Sequence, residues 1–158
     1  MSEDNQQAAG AQASEICSSI IWMGHLIERF ANTRLPEANL APGLSLPRAH
    51  LLFAVHAAQQ HGGSTRMVDI ALDLGVTART LTTMVDALER QELISRIPDP
   101  HDRRAIQLEL SDRGRALMEP LAQAVESASE LIMSPLDAAE RATLLRLLTR
   151  LIERDGGE

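Results

Sequence analysis

The chain of 158 residues has no Tyr, one Trp and one Cys, and its aromatic content is only 2%. The single cysteine, Cys17, excludes an internal disulfide framework and a Cys-rich zinc site. No apolar run approaches the ~18 residues that a membrane-spanning helix needs. The first dozen residues lack a basic start followed by an apolar stretch, so they do not read as a secretory signal. A soluble, cytoplasmic protein without a membrane partner is expected. There is no phosphate loop, no nucleophile–base spacing and no pair of carboxylates suited to a cleft, so no enzymatic activity is expected. No cofactor and no metal are expected either. His50 and His56 are six apart and His56 and His61 five apart, which misses the i, i+4 spacing of a helical zinc pair; His25 with Glu28 is a weak pair.

Lysine is also absent, so all 15 basic residues are Arg. Against 22 acids they leave a formal net charge of −7, which taken alone argues against a nucleic-acid partner. Net charge is an average over the surface, however. Residues 64–115 hold 8 of the Arg against 9 acids, a local balance of −1, while residues 1–63 and 116–158 stand at −2 and −4. The positive charge is concentrated in the middle third.

The pattern of apolar residues divides the chain. Residues 1–12 read as a disordered tail. Residues 13–44 carry an N-terminal helix, with Ile16, Ile20, Met23, Ile27 and Phe30 at spacings of three and four, and then a loop. That helix is expected to stop near Arg34, before Pro36. Ser45 is a candidate N-cap for a second helix with Leu51, Leu52, Val55 and Ala58 inward. A third, short helix covers Arg66 to Leu74, and Gly75 suits a turn needing positive φ. Thr77 caps a fourth helix with Leu81, Met84, Val85 and Leu88 on one face. The period then changes to two: Leu93 to Ile97 and Ala105 to Leu110 read as strands, the second with Ile106, Leu108 and Leu110 on one face. Residues 113–158 read as C-terminal helices, with Pro120 at a kink or break and Ser134 as N-cap of the last.

Two short helices joined by a tight turn, followed by a hairpin with a basic tip, make a winged helix-turn-helix over 45–112. The fold class is therefore mainly α with a two-stranded β-wing, flanked by N- and C-terminal dimerisation helices whose apolar content exceeds what a peripheral helix requires. The outward face of the fourth helix is Thr77, Ala78, Arg79, Thr82, Thr83 and Asp86, short and polar enough for a major groove of ~12 Å width. Arg103 and Arg104 on the hairpin tip suit a minor groove, and Asp102 beside them can hold a guanidinium by a charge-assisted bond. Arg96 either contacts phosphate or pairs with Asp99 or a neighbouring acid. Thr82 and Thr83 either reach bases or are plain helix surface.

From Leu44 to Met118 the sequence resembles the multiple antibiotic resistance regulator (MarR) family. The resemblance rests on Leu44-Ser-Leu-Pro-Arg48, Ile70-Ala-Leu-Asp-Leu-Gly-Val-Thr77, Leu81-Thr-Thr-Met-Val-Asp-Ala-Leu-Glu89, the wing Leu93-Ile-Ser-Arg-Ile-Pro-Asp-Pro-His-Asp-Arg-Arg-Ala105, and Leu108-Glu-Leu-Ser-Asp-Arg-Gly-Arg115. It implies a homodimer in which terminal helices pair the subunits and two winged lobes read a pseudo-palindromic operator in double-stranded DNA. It implies Arg104 as the minor-groove residue with Asp102 as its orienting partner, and transcriptional regulation, usually repression, relieved by a small ligand or an oxidant. Two departures bear on local structure. Arg48 stands where the family often has Gln, which leaves the capping box of Ser45 incomplete, and Glu92 stands where Gly is usual, so the turn after the fourth helix should differ.

A pocket for a small, for example phenolic, effector is expected between the first two helices and the DNA lobe, with Trp22, His25, Phe30, His50 and Phe53 as candidates; core and interface packing is the alternative for each. Cys17 is the candidate thiol for a redox-sensing repressor. Family members that sense hydroperoxides also use nearby tyrosines, which this chain lacks. A winged-helix protein-interaction module without DNA binding is a further alternative.

Overall fold

The computed structural model describes residues 3–37 and 40–153, with side-chain surroundings for 10–34 and 40–153. Eight elements follow one another: α1 (Glu3–Glu37), α2 (Leu46–His61), α3 (Met67–Asp73), α4 (Ala78–Glu89), β1 (Ile94–Pro98), β2 (Ile106–Leu110), α5 (Asp112–Met133) and α6 (Ala138–Glu153).

The core lies within the winged lobe. Leu51, Leu52 and Val55 of α2, Ile70 of α3, Leu81, Val85 and Leu88 of α4, and Leu93, Ile94, Leu108 and Leu110 around the hairpin are all fully buried. Each buried leucine contributes about 2 kcal/mol. Leu121 of α5 closes this cluster from the side. The strands pair antiparallel in the register Ile94 with Leu110, Arg96 with Leu108 and Pro98 with Ile106. The alternation expected for β2 holds at Leu108 and Leu110, but Ile106 is 37% exposed. It sits at the tip end of the strand, beyond the edge of the core.

Local sequence explains most boundaries. Thr77 caps α4 by accepting from Thr80 N at 3.1 Å, and Gly75 takes φ +63° in the turn before it. Ser111 caps α5 by accepting from Gly114 N at 2.9 Å. Ser45 occupies the N-cap position of α2 without a side-chain bond. Asn32 of α1 takes over that role, its Oδ1 accepting from Leu46 N at 3.0 Å.

Four expectations are corrected. First, α1 begins at Glu3, so residues 3–12 are helix rather than disordered tail; Ala, Gln and Glu there favour helix and no proline interrupts them. Met1 and Ser2 lie outside the described residues. Second, α1 passes through Pro36 to Glu37 instead of stopping near Arg34. A proline there forfeits an i→i−4 bond and crowds the carbonyl four residues back, so the local sequence does not explain this continuation. Third, of the kink or break expected at Pro120 the break is absent: α5 runs on through this residue, which lies on its exposed side. Fourth, Ser134 is the C-cap of α5. The start of α6 is capped instead by Asp137, whose Oδ1 accepts from Ala139 N and Glu140 N at 2.8 and 2.9 Å while Glu140 accepts from Asp137 N at 2.9 Å. This reciprocal box satisfies more amides than a lone serine can.

Outside the lobe the apolar faces are open. Ile16, Ile20, Ile21, Trp22, Met23 and Leu26 of α1 and Leu144, Leu145, Leu147, Leu151 and Ile152 of α6 are all exposed. No residue of α6 is buried.

Candidate nucleic-acid interface

The first reader of the candidate site is α4. Leu81, Met84, Val85, Ala87 and Leu88 are buried against the lobe. Thr77, Ala78, Arg79, Thr82, Thr83 and Asp86 are exposed. This division follows the helical period, so the sequence pattern already contained it. The threonines carry a further constraint. Thr82 Oγ1 donates to Ala78 O at 2.8 Å and Thr83 Oγ1 donates to Arg79 O at 3.1 Å. With their protons committed to the helix, both side chains present a methyl group and acceptor lone pairs outward. In this arrangement they offer a methyl contact to a thymine and an acceptor to an amino group.

The second reader is the hairpin tip over 99–105. His101, Asp102, Arg103 and Arg104 are all exposed there. Asp102 was expected to hold the Arg104 guanidinium. Instead its Oδ1 accepts from the Arg104 backbone N–H at 3.0 Å. An aspartate bonds readily to the amide two residues on, which closes a turn without consuming the cation. The Arg104 side chain stays exposed, and the carboxylate fixes its backbone.

Arg96 is placed differently from the tip arginines. It lies on β1, and its guanidinium pairs with Asp86 at 2.6 Å and with Glu89, both on α4. Its backbone N–H also donates to Glu89 at 3.2 Å. Of the pairings expected for it, the structure shows the neighbouring acids and not Asp99.

Asp99 is the residue that the sequence pattern hid. It is 4% exposed, the sole charged side chain among the described residues that is buried. Oδ1 accepts from His101 N at 2.8 Å and Asp102 N at 2.9 Å. Oδ2 accepts from Arg66 Nε at 2.6 Å and Gln107 Nε2 at 2.9 Å. The Arg66 guanidinium, the His101 amide and the Gln107 amide hold this carboxyl well below the usual carboxylate range, against the opposing cost of burial. Arg66, correspondingly, is raised by its bond to Asp99. The Asp-Pro step at 99–100 was the available sequence signal, since Asp before a turn commonly binds amides ahead of it. Arg66 lies 33 residues upstream, and no local pattern points to it.

The candidate effector residues are not brought together. A cavity of about 310 Å³ opens between α1, α2 and the back of the helix pair, lined by Glu28, Leu46, His50, Leu74, Val76 and Met84 among others. Of the five candidates only His50 lines it. Trp22 and His25 line a separate open groove of about 480 Å³ along α1. Phe30 lies under Arg34, with the guanidinium carbon 5.4 Å from the ring centre. Phe53 packs against the core cluster. Their separation follows from helix geometry: Trp22 and Phe30 are more than two turns apart on one helix. Cys17 is exposed on α1. Among the described residues no three His, Cys, Asp or Glu side chains gather to hold a metal ion, and no helix is long and apolar enough to cross a membrane.

Comparison with known proteins adds to this geometry. The family model described as "MarR family" matches residues 44–106. The chain is 34% identical over 99 residues to the HTH-type transcriptional repressor NicR of Pseudomonas putida, a match covering 63% of this chain and 62% of that protein. The chain thus spans just under two thirds of that relative's length. It is 31% identical over 127 residues to a putative transcriptional regulatory protein for the hcr operon of Thauera aromatica, covering 80% of this chain and 72% of that protein. Among solved structures, a mutant MarR from Escherichia coli complexed with operator DNA has a similar fold, with a TM-score of 0.76 at 23% identity, over 89% of this chain and 95% of that one.

Proposed function

The chain belongs to the MarR family, and from that premise we propose that it is a sequence-specific, double-stranded-DNA-binding transcriptional regulator acting as a homodimeric repressor in the cytoplasm. The observation that carries this reading is the pairing of two readers on one lobe. An exposed face of Thr77, Ala78, Arg79, Thr82 and Thr83 on α4 stands beside a tip that presents Arg103 and Arg104. The helix face suits a major groove and the tip suits the adjacent minor groove. The open apolar faces of α1 and α6 support pairing of two copies through their terminal helices, which would give a pseudo-palindromic operator with half-sites about one helical turn apart.

Release by a small ligand is supported by the cavity under the helix pair. Leu46, Leu74, Val76 and Met84 offer an apolar wall, and Glu28 and His50 offer hydrogen-bonding groups, a combination that suits a phenolic ring. Met84 belongs to α4, so an occupant would bear directly on the first reader.

Selection of bound sequences from a random DNA pool tests the reading. A palindromic consensus whose affinity falls with added salt is expected. Arg104→Ala should weaken binding to that consensus about tenfold with the fold intact. Recovery of no enriched sequence would favour a protein-interaction module instead.

A further inference from the structure

Two readers on one lobe are useful only if the distance between them is fixed. Strand pairing fixes the base of the hairpin, from Ile94–Leu110 to Pro98–Ile106. Backbone bonds continue one step further, from Asp99 N–H to Ala105 O at 3.1 Å and from Ala105 N–H to Asp102 O at 2.9 Å, but they do not tie the tip to the helix pair. The two oxygens of Asp99 serve opposite sides of this junction. Oδ2 faces the helix pair, through Arg66 at the N-cap position of α3, and β2, through Gln107. Oδ1 faces the tip, through the His101 and Asp102 amides. Asp102 then passes the constraint to the Arg104 amide. A continuous series runs from the start of α3 through Asp99 and Asp102 to Arg104. It is backed by a bridge between Arg66 and Gln107 and by the bond from Leu108 N to Thr65 O at 2.8 Å.

We propose that Asp99 is the positioning residue of the wing, tying the tip to the entry of α3 and so setting where Arg104 is presented relative to α4. The inference rests on the DNA-binding reading above and deepens it. Asp99 touches no DNA itself: its side chain is 1% exposed, and its oxygens are committed to protein donors. Arg66 commits its Nε to Asp99 while its side chain stays 37% exposed, whereas Arg103 and Arg104 stand on the open tip.

A double-mutant cycle on the selected operator tests this. Asp99→Asn keeps the shape and one acceptor oxygen but sets an amide against the Arg66 guanidinium. Arg66→Met removes the clamp from the other side without altering the wing sequence, and serves should Asp99→Asn fail to fold. Either change should weaken binding about tenfold, and Arg104→Ala should do the same. If Asp99 acts through Arg104, the double variant loses about tenfold and not a hundredfold, because a contact already lost cannot be mispositioned. A hydroxyl-radical footprint should lose protection at the flanking minor grooves while the central major-groove contacts remain. Multiplying losses, or protection that weakens evenly across the site, would overturn the proposal and leave a purely structural role for Asp99. Should the wild-type chain select no DNA, the functional reading falls and this one with it. Should Arg104→Ala behave as expected while Asp99→Asn and Arg66→Met bind like wild type, only the positioning role falls.

Discussion

The guanidinium of Arg96 on β1 lies 2.6 Å from the carboxylate of Asp86 on α4. Glu89 pairs with the same cation, so the one Arg in the middle of β1 is turned toward α4. Its effect is to quiet two acids on an element that would face a polyanion. Arg96→Ala should therefore weaken operator binding by about fivefold, chiefly by baring Asp86 and Glu89, and the deficit should grow at low salt. Adding Asp86→Asn should recover part of the affinity. If that second change brings no recovery in a binding titration, Arg96 touches phosphate directly.

Gly114 stands where α5 crosses the start of the hairpin, and a Cβ there would lie 2.0 Å from Leu93 O. That oxygen is backbone and already accepts from Ser111 N at 3.2 Å, so it has nowhere to go. Gly114→Ala should cost about 2–4 kcal/mol. Urea unfolding of the two proteins measures the difference, and a loss below ~0.5 kcal/mol would show that the crossing can open.

Glu92 keeps the left-handed backbone, φ +57°, in the turn between α4 and the strand. The departure from Gly was expected to change this turn; the conformation is instead one that favours glycine. Its carboxylate is 83% exposed and reaches Arg113 only at 4.0 Å, a contact that adds little. Glu92→Gly should thus raise stability by about 1 kcal/mol, read as a higher thermal midpoint.

Asp99 gives a pH signature. Its folded carboxyl titrates below the unfolded one, so its contribution to stability is present above the unfolded value near pH 4 and is lost as pH falls toward the folded one. The stability gap between wild type and Asp99→Asn should be constant from pH 7 to about pH 5 and shrink below about pH 4. Denaturant midpoints across that range would contradict the ion pair if the gap widened in acid.

Periodic features of the chain were legible in the sequence because they are local. The buried and exposed faces of α4 follow from its spacing alone, and Gly75 and Thr77 mark the turn that precedes it. Legibility failed where a residue's state depends on a distant partner. Asp99 reads as one more acid in a charged loop until Arg66, 33 positions earlier, is set against it. Ser45 has the right identity for a cap, yet the bond comes from Asn32 on another helix. The effector candidates are scattered over different surfaces for a related reason. Trp22, His25, Phe30 and Phe53 were grouped by residue type, and aromatic or imidazole character says nothing about which side of a helix borders a cavity. Glu28, which does line it, sits one turn from His25.

The Asn32 side chain reaches across 14 residues to hold the first amide of α2. The winged lobe is therefore tied at its first helix to the end of α1. Cutting the chain before Ser45, at what looks like a natural seam, would leave the opening turn of α2 short of an acceptor that no residue within the excised piece supplies. A graft of this lobe onto another protein keeps that cap only if the final turns of α1 go with it.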